Sequence, residues 1–226
     1  MSHKIFSLGD NALTIEFGNE ISVELNDRVL RLVEVFDKRS FTGFVEFVPA
    51  YSSLTIFYDV FTVRKNFPEF STAFAAVKNS VENALESLEA PQKLDSKAVE
   101  IPVCFDRESA LDLDSLAVEN NLARQEVIEI FLSQTYRVFM LGFLPGFAYL
   151  GEVDERIAAR RKNSPRLKVP RGSVAIAGKQ AGIYPLASPG GWQIIGRTDI
   201  ELFTPNEAEP TFLQVGDRVK FHSQNL

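Results

Sequence analysis

The spacing of apolar residues changes period several times along the chain. Leu13, Ile15 and Phe17 alternate, which predicts one face of a strand. Leu25, Val29, Leu32, Val33 and Phe36 then recur at helical spacing, with Ser22 placed to cap the helix. Phe44–Pro49 and Leu54–Tyr58 read as two strands hinged at Pro49–Ser52. Phe70, Phe74, Val77, Val81, Leu85 and Leu88 mark a longer amphipathic helix. A strand at Val99–Cys104 would complete the order β-α-β-β-α-β, which is ferredoxin-like, although that strand can fall on either side of the domain boundary. The polar stretch from Ala90 to Lys97 is the expected linker, so the domain boundary is placed near residue 95.

Two short helices open the second half, Leu113–Asn120 and Ala123–Ser133. Asp112 or Asp114 is expected to cap the first. The second lacks a good cap, because Ala123 stands where Ser or Thr would pair with Glu126. After Tyr136 the period becomes two. Tyr136–Phe143, Ser173–Ala177, Trp192–Gly196, Ile200–Phe203 and Arg218–Phe221 read as short strands between Gly/Pro turns, a pattern that suggests a closed barrel.

At 226 residues the chain makes one large domain or two small ones. No stretch approaches the roughly 20 apolar residues of a membrane span, and the first residues hold no apolar run of signal-peptide length. The single cysteine, Cys104, excludes an internal disulfide and suits a reducing, cytoplasmic setting; between Val103 and Phe105 it reads as a buried core residue. Charge adds more. From Arg156 to Thr198 there are nine basic residues and no acidic one, in a chain whose net charge is −6. Nine of the 13 glycines lie between Gly142 and Gly196. A basic, glycine-punctuated stretch in an acidic protein points to a local anion site and away from nucleic acid as a partner.

Several motifs fall short on inspection. Gly172 to Gln180 approaches a phosphate-binding loop, but five residues separate Gly172 from Gly178 where four are needed, and Gln180 replaces the Ser/Thr that holds magnesium. Ser188 lacks the first glycine of a nucleophile elbow. The two histidines, His3 and His222, lie near the ends of the chain, so neither a serine–histidine pair nor a zinc site is expected. Asp154 and Glu155 are left open as magnesium carboxylates. Arg166, Lys168, Arg171, Lys179 and Arg197 are the anion candidates, each with an ordinary salt bridge as the alternative. Arg160-Arg161-Lys162 reads as a solvated face. Trp192, Tyr184, Phe143 and Phe147 can wall a pocket for a small planar ligand.

The segments GFLPGFAYLG, SPRLKVPRGSVAIAG, QAGIYPLASPGGWQIIGRT and FVEFVPAYSSLTIFYD are similar to the allophanate hydrolase subunit 1 family, over nearly the whole chain from Gly9 to Phe221. That family includes the B component of bacterial 5-oxoprolinase and a kinase inhibitor of sporulating bacteria. The resemblance implies an α+β chain: an N-terminal ferredoxin-like βαββαβ domain over 1–95 and a cyclophilin-like β-barrel over 96–226. It also implies one component of an ATP-dependent enzyme that opens 5-oxoproline to glutamate. Its partners would be the A and C subunits of 5-oxoprolinase, the chain would be inactive alone, and ATP and Mg2+ would bind at the level of the complex. The alternatives are a module that inhibits a sensor histidine kinase, or a carboxyltransferase fragment of a urea/allophanate system. Arg166 and Arg197 stand out because they sit inside the SPR and IGRT motifs. The expected substrate-binding set is Phe143, Pro145, Gly146, Arg166, Lys168, Gln180, Tyr184, Trp192 and Arg197, with no catalytic residue assigned and no metal site. Phe131-Leu132 departs from the family's His-Ser or His-Thr pair, and Ala181 stands where Thr is common, which weakens the expectation of activity in this chain.

Overall fold

The computed structural model describes residues 3–88 and 96–224. The linker expected from Ala90 to Lys97 lies mostly outside the described residues. The chain divides into two compact units, Met1–Asp95 and Ser96–Leu226, and both mix helices with strands.

In the first unit, β1 (Lys4–Ser7) and β2 (Ala12–Glu16) form a hairpin, followed by α1 (Val23–Lys38), β3 (Phe44–Pro49), β4 (Ser53–Tyr58), α2 (Val60–Asn66) and α3 (Ala73–Glu86). Ser22 caps α1 as its position predicts, its hydroxyl accepting the Leu25 amide. Val29, Leu32 and Phe36 of α1 and Val77 and Val81 of α3 bury against Leu13, Ile15, Leu54 and Ile56 of the sheet. Full burial of each such aliphatic side chain stabilises by about 1.5–3 kcal/mol. Asn26 is also buried; its amide donates to the Ala50 and Tyr51 carbonyls and ties α1 to the β3–β4 turn.

Two expectations need correction in this unit. The helix expected from Phe70 begins only at Ala73, where Thr72 caps it, and a separate short helix, α2, precedes it under an Asp59 cap. The strand at Val99–Cys104 does not complete this sheet. The strand order is β1-β2-β4-β3, so the edge beside β2 is taken by the N-terminal strand. A hairpin of consecutive strands closes a short loop, which costs less entropy than a return from beyond α3.

The second unit runs β5 (Ala98–Val103), α4 (Leu113–Glu119), α5 (Arg124–Ser133), β6 (Thr135–Leu141), β7 (Ala148–Gly151), β8 (Arg166–Val169), β9 (Ser173–Ala177), β10 (Gln180–Ile183), β11 (Ser188–Gly190), β12 (Gln193–Arg197) and β13 (Arg218–Ser223). Seven strands form one sheet in the order β12-β9-β10-β7-β6-β13-β5, while β8 and β11 pair separately. Its two edges meet: Cys104, just past β5, exchanges hydrogen bonds of 2.8 and 3.0 Å with Arg197 of β12. The sheet thus curls until its first and last strands touch. One face packs Val103, Val138, Leu150, Ile176, Ile183 and Phe221 against α4 and α5. The other carries Phe147, Ala175, Ala177, Tyr184, Trp192 and Ile194.

Three local expectations differ. Ile200–Phe203 is not a strand; only Phe203 makes a single bridge, to Thr211. The α5 terminus keeps half of a capping box, because the Glu126 carboxylate accepts the Ala123 amide at 2.6 Å although alanine offers nothing in return. Cys104 is half-buried rather than in the core, and its thiol donates to Asp106 at 3.2 Å. No helix among the described residues is long and apolar enough to cross a membrane.

Candidate functional site

The loop after β6 holds a non-glycine residue in the left-handed region. Phe143 has φ +68°, and the Leu144 amide donates across it to the Gly142 carbonyl at 2.8 Å, closing a three-residue turn. An aromatic residue in this region is strained, at a cost of about 1–3 kcal/mol, and such strain concentrates at functional sites. Phe143 is also 60% exposed, while the rings beneath it are buried.

Those rings form a continuous edge-to-face cluster. Phe143 meets Phe147 at 5.4 Å and Tyr184 at 6.3 Å; Phe147 meets Tyr149 at 4.9 Å and Trp192 at 5.6 Å. The GFLPGF and GIYP loops therefore come together, as the sequence suggests. The cluster is seated on Gly182 of β10: a Cβ there would lie 2.7 Å from Phe147 and 3.0 Å from Trp192. Burial pushes the Tyr184 hydroxyl above its ordinary value, and the Trp192 backbone, bonded to that hydroxyl, opposes the shift. Burial also raises Tyr149. Both stay protonated at neutral pH and remain hydrogen-bond donors.

One cation stands over this cluster. The Arg161 guanidinium lies 5.8 Å from the Trp192 ring centre, within cation–π range, and makes no ion pair among the described residues. Arg160 and Arg161 are exposed, as a solvated face predicts, while Lys162 is half-buried. Their segment is tied down: the Lys162 amide donates to the Gly191 carbonyl at 2.7 Å, and the Gln193 side chain donates to the Arg160 carbonyl at 3.0 Å.

The anchor beneath the segment is Asp112, only 3% exposed. Its two oxygens accept both terminal nitrogens of Arg166 at 2.8 and 2.7 Å, Lys162 Nζ at 2.8 Å and the Ile194 amide at 2.7 Å. Burial is the largest influence on this carboxyl and pushes its pKa up; the bonds from Arg166, Lys162 and Ile194 together outweigh it and hold the group below the usual carboxylate range. Two expectations change here. Asp112 occupies the N-cap position of α4 but makes no cap bond, because its carboxylate is drawn to the opposing cations. Arg166 is not available as an anion receptor, since its fork is spent on Asp112 in a bidentate pair.

The remaining candidates are scattered. Pro145 is exposed in the Phe143 loop, and Gly146 is buried beside Leu202 and Phe203. Lys168 is exposed on β8, next to Leu167. Gln180 opens β10 on the same face as Gly182. Arg197 stands at the far end of β12 from Trp192, 3.8 Å from Asp199, in a 210 Å³ hollow with Cys104, Asp106 and Ser109. Arg171 faces Glu201 at 3.8 Å, and Lys179 pairs with Glu155. Asp154 is held by Arg156 at 2.8 and 3.0 Å, which lowers its pKa to about 2.

These pairings bear on the magnesium nucleotide that the resemblance implies. Gly172 to Gly178 encloses β9, whose backbone is taken up by its sheet neighbours and whose side chains are all buried. The Gly172–Gly178 segment is therefore a sheet strand and not a phosphate loop. Among the described residues, no group of three or more His, Cys, Asp or Glu is arranged to hold a metal ion.

Phe147 is legible in the sequence as an aromatic of the motif. Tyr149 and Arg161 lie outside the expected set, although period two along β7 places Tyr149 beside Phe147, and only one tryptophan is present for a nearby arginine to cover.

The chain is similar to several known proteins. The model of the carboxyltransferase domain, subdomain C and D, matches residues 3–213. The chain is 46% identical to the B component of 5-oxoprolinase from Bacillus subtilis (strain 168), over 97% of this chain and 92% of that protein. It is 36% identical to the B component of 5-oxoprolinase from Escherichia coli O157:H7, over 98% of this chain and 96% of that protein. Among solved structures, TTHA0988 superposes with a TM-score of 0.80 at 34% identity over 95% of this chain, which spans only 40% of the TTHA0988 chain. The expected resemblance to the allophanate hydrolase subunit 1 family is thus met, and the chain belongs to the carboxyltransferase domain family, subdomains C and D.

Proposed function

We propose that this chain is the B component of a 5-oxoprolinase, which opens the lactam of 5-oxoproline to glutamate together with its A and C components and at the expense of ATP. The observation that carries this reading is the 46% identity to a B component of 5-oxoprolinase over 97% of the chain. The same reading takes the closed sheet as a cyclophilin-like barrel and the first unit as a ferredoxin-like fold with β1 in the place of its fourth strand.

The lactam amide is stabilised by resonance, so water does not open it unaided. Transfer of a phosphoryl group from ATP to the lactam oxygen releases ADP and activates the carbon; one water adds there and the ring nitrogen leaves as the amine, and a second water cleaves the resulting acyl phosphate to glutamate and phosphate. Such a step needs cations at the phosphate and a positioned water. This chain lacks a phosphate loop, so nucleotide and magnesium fall to the other components. Its own part is to hold the substrate. The Phe143–Phe147–Tyr184–Trp192 cluster suits the flat ring, and Arg161 suits its carboxylate. The part of the TTHA0988 chain that this chain matches is 40% of its length, so in that relative the same fold is joined to further chain.

The test is reconstitution. The isolated chain is expected to release no glutamate from 5-oxoproline and ATP, whereas mixing it with its A and C components restores ATP-dependent release. Turnover by the isolated chain would remove the shared-site reading. An inert three-component assembly would favour a kinase-binding module or a carboxyltransferase fragment.

The Phe143 turn supplies a sharper measurement. Phe143→Gly relieves the positive-φ strain and removes an exposed ring, two changes that offset one another in stability. The thermal midpoint is expected to move by no more than about 3 °C. Loss of the ring as a substrate wall is expected to raise KM of the assembly about tenfold, roughly 1.4 kcal/mol. An unchanged KM would take Phe143 out of the site.

A further inference from the structure

A large cavity in the first unit plays no part in the reaction proposed above. It is a groove of about 840 Å³ between α1 and α3, walled by Glu24, Arg28 and Arg31 on one side and Asn79, Glu82, Asn83 and Glu86 on the other, with Leu85, Leu88 and His3 at its margins. Both sets follow helical spacing, so each helix turns one polar stripe into the groove.

Arg31 is the anomaly. Its Nε is buried without a hydrogen-bond partner, and the side chain makes no ion pair with any described residue. A buried guanidinium donor left unsatisfied carries a full desolvation penalty, which an incoming acceptor would recover. Arg28, one turn away, stacks on Phe17 with Cζ 4.4 Å from the ring centre, and Phe17 in turn meets His3 edge-on at 6.5 Å. Burial lowers the Arg28 pKa; Glu24 opposes the shift and the Arg31 charge adds to it. Two adjacent arginines that disfavour each other, one without a partner, leave room for an anionic group.

The glutamates narrow the choice. Glu24, Glu82 and Glu86 line the groove together with Arg28 and Arg31, and Glu82 also pairs with Lys78 at 3.6 Å. A phosphate, or a dicarboxylate with no ammonium, would bring only negative charge into that groove and be repelled. A ligand with a carboxylate and an ammonium on one carbon meets both signs at once: its carboxylate faces Arg31 and Arg28, the Asn79 and Asn83 amides lie alongside, and its ammonium faces Glu82 or Glu86. We infer that the groove between α1 and α3 is a binding site for a free α-amino acid in its zwitterionic form, separate from the aromatic cluster of the second unit. Leu85 and Leu88 leave the margin apolar enough to accept the aliphatic part of a side chain.

The test uses the full chain and four probes: L-glutamate, L-leucine, glutarate and inorganic phosphate. Titration by calorimetry is paired with NMR of the Arg31 Nε–Hε signal. At least one of the two amino acids is expected to bind saturably, to shift that signal, and to bind at least tenfold more tightly than glutarate or phosphate. Arg31→Gln is expected to weaken the binding at least tenfold while the chain stays folded, because Arg31 holds no other described residue in place. The inference is overturned if neither amino acid saturates by about 10 mM, if glutarate or phosphate binds equally well, if the Arg31 signal stays still on binding, or if Arg31→Gln binds as the native chain does. Each outcome is read without turnover, so failure of the 5-oxoprolinase reading would leave this result intact.

Discussion

Asp112→Ala is expected to lower the thermal midpoint of the second unit by about 10 °C, corresponding to roughly 3 kcal/mol. The carboxylate is buried and serves Arg166, Lys162 and the Ile194 amide at 2.7–2.8 Å. Its removal leaves two cations and an amide without an acceptor. Arg166 and Lys162 keep partial access to water, which holds the loss toward the lower end of the range for a broken buried pair. The change should reach the aromatic cluster as well, because Lys162 adjoins the arginine that covers Trp192.

Acid separates charge from shape at this position. The folded Asp112 pKa is depressed, so its contribution is fully present above the unfolded value of about 3.9 and is lost as pH falls through the folded value. The native chain should therefore lose stability below about pH 4 more steeply than Asp112→Asn, which keeps the shape and lacks the titration. Parallel acid profiles for the two proteins would show that Asp112 carries no depressed pKa.

The second large effect is expected at Gly172. It has φ +80°, and an added Cβ would sit 2.0 Å from the Thr198 backbone oxygen. Neither side can retreat: the Gly172 amide donates to the Tyr184 carbonyl at 2.7 Å, and the Thr198 amide donates to the Gly172 carbonyl at 2.9 Å. Gly172→Ala combines left-handed strain of about 1–2 kcal/mol with a clash against fixed backbone. A total of about 4 kcal/mol is expected, enough to leave much of the chain unfolded on expression. Gly178 is the internal control. It has φ +60° but nothing within 4 Å of an added Cβ, so Gly178→Ala should lose only the strain. Urea unfolding of both variants measures the difference; equal losses would assign the whole effect to φ.

The contrast between these positions explains what the sequence makes legible. Helices with a full apolar stripe, such as the one from Leu25 to Phe36, announce themselves because burial repeats every turn. β3, β4 and β9 are long enough to show their pattern. β7, β8, β10 and β11 have three or four residues each, several of them glycine or proline, and no period can be read over that span. The aromatic half of the site is visible because GFLPGF and GIYP are unusual wherever they occur. The electrostatic half is not. Nine cations compete for partners between Arg156 and Thr198, and nothing local says that Arg166 and Lys162 will find a carboxylate some 50 positions earlier. Asp112 reads as a helix cap because its sequence neighbours are those of a cap; its partners are supplied by folding. The sheet assignment of β5 fails for the same reason, since its ladder mate is β13, residue 218 lying opposite residue 98.

That last pairing has a consequence for how the protein is made. β13 lies between β6 and β5, parallel to β5 and antiparallel to β6, so the strand of this sheet that comes last in chain order is an interior one. While residues 142–217 are being added, β5 and β6 each present toward the missing β13 an open row of amides and carbonyls, the kind of edge that recruits strands from other chains. Nascent chains on one polysome are therefore the most hazardous company this protein keeps, and a stop codon a few residues before Arg218 should yield a product that aggregates.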